Sequence, residues 1–142
     1  MRVRYVGPPL GEDEKKAFYA SNNSTFNFVL NEVYTVYGLT VSKIHYSGLA
    51  FQLENGDSGY IIGASSALFE IVDDRVSQYW RAKKLDSGAI AFWPEEFYSY
   101  AFHDLLSDGN PEEVEKFKKV RKLLEDEFKE PEDPKWYDEY WF

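Results

Sequence analysis

The sequence has no cysteine. That removes a disulfide framework, a thiolate nucleophile and thiolate metal ligands together, and it suits a reducing compartment. Histidine is nearly as scarce: His45 and His103 stand far apart, with none of the paired spacings that metal motifs use. No stretch approaches the roughly 18 apolar residues of a membrane span. The opening residues Met1-Arg2-Val3-Arg4-Tyr5-Val6 also lack the apolar run of a signal peptide. These absences point to a cytoplasmic protein that makes no membrane contact. The last scarcity is local, for residues 85–115 contain no lysine and no arginine.

That base-free window is dense in acid. It holds Asp86, Glu95, Glu96, Asp104, Asp108, Glu112, Glu113 and Glu115, whereas residues 1–84 balance nine acids with nine bases and residues 116–142 set eight against seven. Nearly all of the net charge of −9 is therefore concentrated in one window. Phe92, Trp93, Phe97, Tyr98, Tyr100 and Phe102 are interleaved with the carboxylates. Phosphate binding depends on clustered lysine and arginine, so this balance disfavours direct binding of nucleic acid or anionic membrane. A basic protein is the electrostatic complement. With 44% hydrophobic and 18% aromatic residues the chain lies far from disordered compositions, and 142 residues suffice for one domain with a real core.

Periodicity divides the chain at about residue 94. Before it, short alternating runs predict strands over 2–6, 32–44, 49–54, 60–62, 69–72, 76–81 and 88–93. Asn55-Gly56 reads as a hairpin turn that returns residues 60–62 beside Phe51. A short helix is expected over 12–20, followed by a polar loop. After it the period becomes helical. Pro94 suits the first position of a helix, with Glu95 and Glu96 in the first turn and Phe97, Ala101 and Leu105 on one face, ending at Ser107-Asp108-Gly109. Asn110 caps the next helix, with Pro111 first, Glu113 placed to reach back to the cap, and Val114, Phe117, Val120, Leu124 and Phe128 on its inner face. Glu112–Lys116 and Glu115–Lys119 stand at the supportive i,i+4 spacing. Pro131 and Pro134 stop it, leaving a tail with Trp136, Tyr137, Tyr140, Trp141 and Phe142, expected to dock on its own domain or on a partner. The expected fold is thus α+β: a small curved antiparallel sheet or barrel over 1–93, two helices over 94–130, and an aromatic tail over 131–142 in one domain.

Catalytic patterns are lacking. Ser47-Gly48 and Ser58-Gly59 lie outside any Gly-x-Ser-x-Gly frame, and Asn55-Gly56-Asp57-Ser58-Gly59 has the glycines of a phosphate loop without its Lys-Ser/Thr. Glu95 and Glu96, as neighbours on a helix, would diverge by about 100° and could not face each other across a scissile bond. A metal site would need His103 with Asp104, Glu95 or Glu96, and these read instead as solvated helix residues. No cofactor, no metal and no enzymatic activity are expected.

Tyr34 and Val36 before Gly38, a hairpin returning Tyr60, and the strand Leu68-Phe69-Glu70-Ile71-Val72 together resemble the small SH3-like barrels of short bacterial proteins. The acidic helical extension is similar in character to immunity proteins of contact-dependent inhibition and related polymorphic toxin systems. That resemblance implies a cytosolic protein that binds one toxin domain and blocks it without catalysis, a basic nuclease domain being the natural fit. Such proteins share no functional motif, so the expected contacts come from the residues themselves. Trp93, Tyr98 and Tyr100 are the candidate anchors and Glu95, Glu96, Asp104 and Asp108 the charge partners, while Phe97 and Phe102 read as core. Two other readings stand beside this one. In the first, an SH3-like adaptor binds a proline-rich or basic ligand in a groove of Tyr34, Tyr37, Tyr46 and Trp80. In the second, an acidic nucleic-acid mimic takes many basic partners.

Overall fold

The computed structural model describes residues 1–7, 27–43 and 48–129. The expected helix over 12–20 and the aromatic tail lie outside them, as does Tyr46. Eight strands form two antiparallel sheets that stay open and do not close into one barrel, so the curved-sheet form of the expected α+β class is the one present. Strands β1 (Arg2–Tyr5), β2 (Val33–Thr35) and β6 (Phe69–Asp73) make the first sheet, in the order β2-β1-β6. Strands β3 (Gly38–Val41), β4 (Leu49–Glu54), β5 (Ile61–Ser65), β7 (Trp80–Lys84) and β8 (Ile90–Pro94) make the second, in the order β5-β4-β3-β8-β7. Helices α1 (Phe102–Ser107) and α2 (Pro111–Glu127) follow.

The larger sheet is covered on both faces. Phe51 and Leu53 of β4 join Met1, Val3, Val36, Ala64, Leu68, Phe69 and Trp80 in one apolar cluster shared with the smaller sheet. On the opposite side Ile61 and Tyr37 pack with Phe97, Phe102, Leu106, Phe117, Val120, Leu124 and Phe128 beneath the helices. Burying a phenylalanine is worth about 1.5–3 kcal/mol, against a few tenths for an exposed i,i+4 ion pair. Apolar packing therefore fixes α2 on the sheet, and Val114, Phe117, Val120, Leu124 and Phe128 do face inward as their spacing predicts.

The expected strand over 32–44 is two strands in different sheets. Alternation continues through the corner, but Val36 belongs to the first cluster and Tyr37 to the second, so the chain changes sheets between them. Trp80 ties the corner down by donating its indole N–H to the Tyr37 carbonyl at 2.8 Å. Gly38 is needed immediately after it. A Cβ there would stand 2.9 Å from the Phe92 carbonyl oxygen and 2.8 Å from Cδ1 of Trp93, closer than β3 and β8 could tolerate. The β4–β5 connection spans residues 55–60 rather than a two-residue turn, and pairs Phe51 with Ala64. Asn55 organises it, accepting the Asn27 N–H at 2.8 Å and donating to the Tyr60 hydroxyl at 2.8 Å.

The expected strand over 76–81 starts later, at Trp80, because the preceding residues bind the end of α2 instead. Ser77 Oγ and the Gln78 N–H each donate to the Glu127 carboxylate at 2.8 Å. Arg2 and Arg75 both donate to the Phe128 carbonyl, at 2.7 and 3.3 Å, and Asp73 holds Arg75 at 2.6 Å. Helix α2 carries no basic residue in its last turn, so these cations from the sheets meet the negative end of its dipole. At its start Asn110 caps as expected, accepting the Glu112 N–H at 3.1 Å. Glu113 does not complete a capping box: the Asn110 N–H goes to the Leu105 carbonyl at 2.9 Å, and the Glu113 carboxylate lies 3.7 Å from Lys116. Among the described residues no helix is long and apolar enough to cross a membrane.

Replacing Gly38 by Ala should destabilise the fold by about 1–3 kcal/mol through this close approach. A urea titration monitored by tryptophan fluorescence measures it, and an unchanged midpoint would contradict the account.

Candidate functional site

The base-free window runs from the β7–β8 turn through β8 and α1 into the first turn of α2. Its middle departs from the expected helix. Pro94 is the buried last residue of β8, not a first helical position, and Glu95–Tyr98 forms a single 3-10 turn. Ser99 is extended, Ala101 is left-handed with φ of 53°, and α-helix begins only at Phe102. Two anchors account for the break. Phe97 is buried and stacks on Phe102 with ring centroids 4.7 Å apart. The Tyr98 hydroxyl turns back onto the strands, accepting the Trp93 N–H at 3.2 Å within reach of the carbonyls of Arg81 and Ala91. A continuous helix from Pro94 could not hold both. Both phenylalanines are core, as expected, whereas Ala101 is exposed and Leu106 takes the inward place assigned to Leu105.

Several of the carboxylates meet bases that fold back from outside the window. Glu95 lies 3.2 Å from Lys83 of β7, and Glu96 lies 3.5 Å from Lys119 of α2. Glu112 pairs with Lys116 at 3.8 Å as expected, but Glu115 meets Lys118 at 3.4 Å instead of Lys119. Among the described residues no basic side chain lies within 4.0 Å of Asp104 or Asp108. The seven candidate site residues therefore separate. Trp93, Tyr98, Tyr100 and Asp104 line one cleft of about 310 Å³, together with Leu85, Phe97, Ser99, Ala101, Phe102 and His103. Glu95 and Glu96 engage in surface ion pairs, and Asp108 ends α1, its N–H donating to the Asp104 carbonyl at 2.9 Å.

The aromatic wall is ordered from within. Trp93 stacks on Tyr98 at 5.0 Å and 25°, and Lys83 Nζ sits 4.3 Å from the Tyr98 ring centroid. Trp93 donates its indole N–H to Thr40 Oγ1 at 3.0 Å. Tyr100 has no such role and is 93% exposed at the mouth of the cleft.

His103, read from sequence as a solvated helix residue, is wedged between Trp93, Phe97 and Phe102, with its Nε2 3.1 Å from Gln52 Oε1. The amide oxygen can only accept, so this contact is a hydrogen bond when His103 carries its proton on Nε2, and the Gln52 amide N–H donates onward to Thr40 Oγ1 at 3.4 Å. Burial pushes the His103 pKa below its ordinary 6.5, against a smaller upward pull from Asp104. A neutral imidazole leaves Asp104 as the charge at this end of the cleft. Gln52 and Thr40 pass unnoticed in the sequence because alternation alone assigns the Ala50, Gln52, Glu54 face of β4 to solvent. The available clue is Gly63 opposite Gln52, where a Cβ would stand only 3.3 Å from the Gln52 amide nitrogen, so the glycine makes room for that side chain. Among the described residues no group of three His, Asp or Glu side chains could hold a metal ion.

The alternative aromatic groove is not assembled as expected. Tyr37 and Trp80 are buried, Tyr34 accepts the Val29 N–H at 2.8 Å, and Tyr46 lies outside the described residues. Tyr34 and Tyr37 border a second cleft of about 400 Å³ whose rim carries Glu32, Glu54 and Asp57.

Two measurements test this geometry. A left-handed alanine costs about 1–2 kcal/mol, so Ala101→Gly should raise stability by up to about 1 kcal/mol once the looser unfolded chain is counted. A loss of stability in chemical denaturation would show Ala101 to be unstrained. Because the folded pKa of His103 lies below its unfolded value, its contribution is intact above about pH 6.5 and is lost as pH falls, the unfolded chain taking the proton first. Between about pH 7.5 and pH 5.5 wild type should therefore lose more stability than His103→Gln, and equal slopes would refute the assignment. No protein-family model, curated protein or solved structure matches this chain.

Proposed function

We propose that this chain is an immunity protein that binds a basic bacterial toxin domain through the acidic, aromatic surface around α1 and blocks it without catalysis. The observation that carries the reading is Tyr100. It is 93% exposed beside an aromatic cleft, directly before a left-handed alanine, inside the base-free stretch of the chain that is densest in acid. Interfaces draw most of their energy from a few desolvated Tyr, Trp and Arg side chains, and a tyrosine offers large area at small entropic cost. Strained backbone clusters at functional sites, and left-handed Ala101 directly follows Tyr100. Among the described residues Asp104 and Asp108 have no cationic partner, and exposed pairs such as Lys83–Glu95 contribute so little that a partner's cations can replace them. Acidic fields of this kind raise association rates with basic proteins and would occupy the surface that a nuclease offers to phosphate.

The reading predicts that the gene immediately upstream encodes a large secreted protein ending in a small basic domain, and that domain is the partner for the test. Co-expression should rescue growth from that domain. Reversing Glu95, Glu96, Asp104 and Asp108 together should weaken binding by about a hundredfold or more, Tyr100→Ala should weaken it by about tenfold, and reversal of Glu32 and Asp57 at the other cleft should leave it unchanged. Full protection by the fourfold variant would overturn the proposal.

A further inference from the structure

We infer that the cleft beside α1 receives a single arginine side chain from the basic partner. This rests on the reading of the surface as a binding face and names what enters it. At about 310 Å³ the cleft is at the small end of ligand sites, enough for one side chain and too little for a folded segment. Its wall is a stack of flat rings: Trp93 lies on Tyr98, His103 meets the edge of Trp93 at 4.9 Å, and Tyr100 stands free at the mouth. A planar guanidinium stacks on such faces and is less strongly hydrated than an ammonium, so it loses less on leaving water.

Asp104 supplies the matching charge. It lies on the cleft lining, in the first turn of α1, with no cation in reach among the described residues, and a carboxylate can take a guanidinium through two hydrogen bonds. The fold already places a cation against this stack: Lys83 Nζ rests over the Tyr98 ring, held by Glu95. That contact shows the ring electronics accepting a positive group where the chain supplies one. The cleft offers the same combination of rings and carboxylate, with no cation from the described residues among its lining.

The probe is N-acetyl-arginine amide, titrated into the ¹⁵N-labelled full chain beside its lysine counterpart and the neutral citrulline analogue. Arginine should shift the Trp93 indole and the amides of residues 98–104 with saturation in the millimolar range, lysine several-fold more weakly, and citrulline not at all. Asp104→Asn and Tyr100→Ala should each weaken arginine binding by about tenfold. Both side chains are at the surface, and the spectra themselves report whether the variants fold. Equal shifts with citrulline, tighter binding of lysine, or shifts indifferent to Asp104→Asn would overturn the arginine slot. If arginine fails to bind while the chain still neutralises a basic domain, only the slot falls. If arginine binds and no basic domain is neutralised, only the immunity reading falls.

Discussion

A buried amide in the middle of β4 constrains the helical half of the molecule. Gln52 is 7% exposed, on the face opposite Phe51 and Leu53. A buried amide without hydrogen bonds costs about 1–3 kcal/mol, so a layer that covers Gln52 must also bond it. His103 does so from α1, and Thr40 from β3, while the Trp93 indole completes the chain from β8. Four elements are registered against one another by polar contacts, which are more strictly directional than the apolar packing around them. The cleft at the end of α1 inherits its shape from this register, since Trp93 and His103 are both wall residues and members of the polar chain.

Charge is arranged differently from apolar surface. The base-free window is an accident of sequence order as much as a feature of the molecule, because Lys83, Lys116, Lys118 and Lys119 come from its flanks to stand beside its glutamates. Among the described residues, Asp86, Asp104 and Asp108 are the carboxylates of the window left without an ion pair, and the last two stand at α1. Surface pairs of this kind contribute little to stability, so the lysines shape the field a partner meets more than they hold the fold together. Discrimination of a basic partner would then come from Asp104 and Asp108, and from the aromatic wall between them and β8.

Much of the fold was legible in the sequence where local pattern and tertiary role coincide. Strand β4 has the expected bounds, α2 buries the expected face behind Asn110 and Pro111, and Phe97 and Phe102 are core. The β2–β3 corner was not legible, because period-2 alternation persists through Val36 and Tyr37 while the cluster they serve changes. Residues 94–101 misled for a related reason. Pro-Glu-Glu is a good helix start, but Tyr98 is drawn back to the backbone of strands it follows, and that pull has no local signature. The ion pairs of Glu95 and Glu96 were equally hidden, since Lys83 and Lys119 become neighbours only once β7 and α2 are in place. Tyr100, Trp93, Tyr98 and Asp104 stand out in the sequence by residue type and line one cleft; His103 does not stand out, because its burial depends on a sheet face that alternation assigns to water.

The clamp on the end of α2 also bears on how the chain assembles. Arg2 and Phe128 are 126 residues apart, and Ser77 reaches Glu127 across 50. Contacts this distant form only after the intervening chain has closed a costly loop. The Phe128 carbonyl at the end of α2 thus lacks its two guanidinium donors until β1 and the segment before β7 are in position. Opening of this helix end is coupled to fraying of the first strand, and the two extremes of the described chain form one cooperative unit in which loosening either loosens the other.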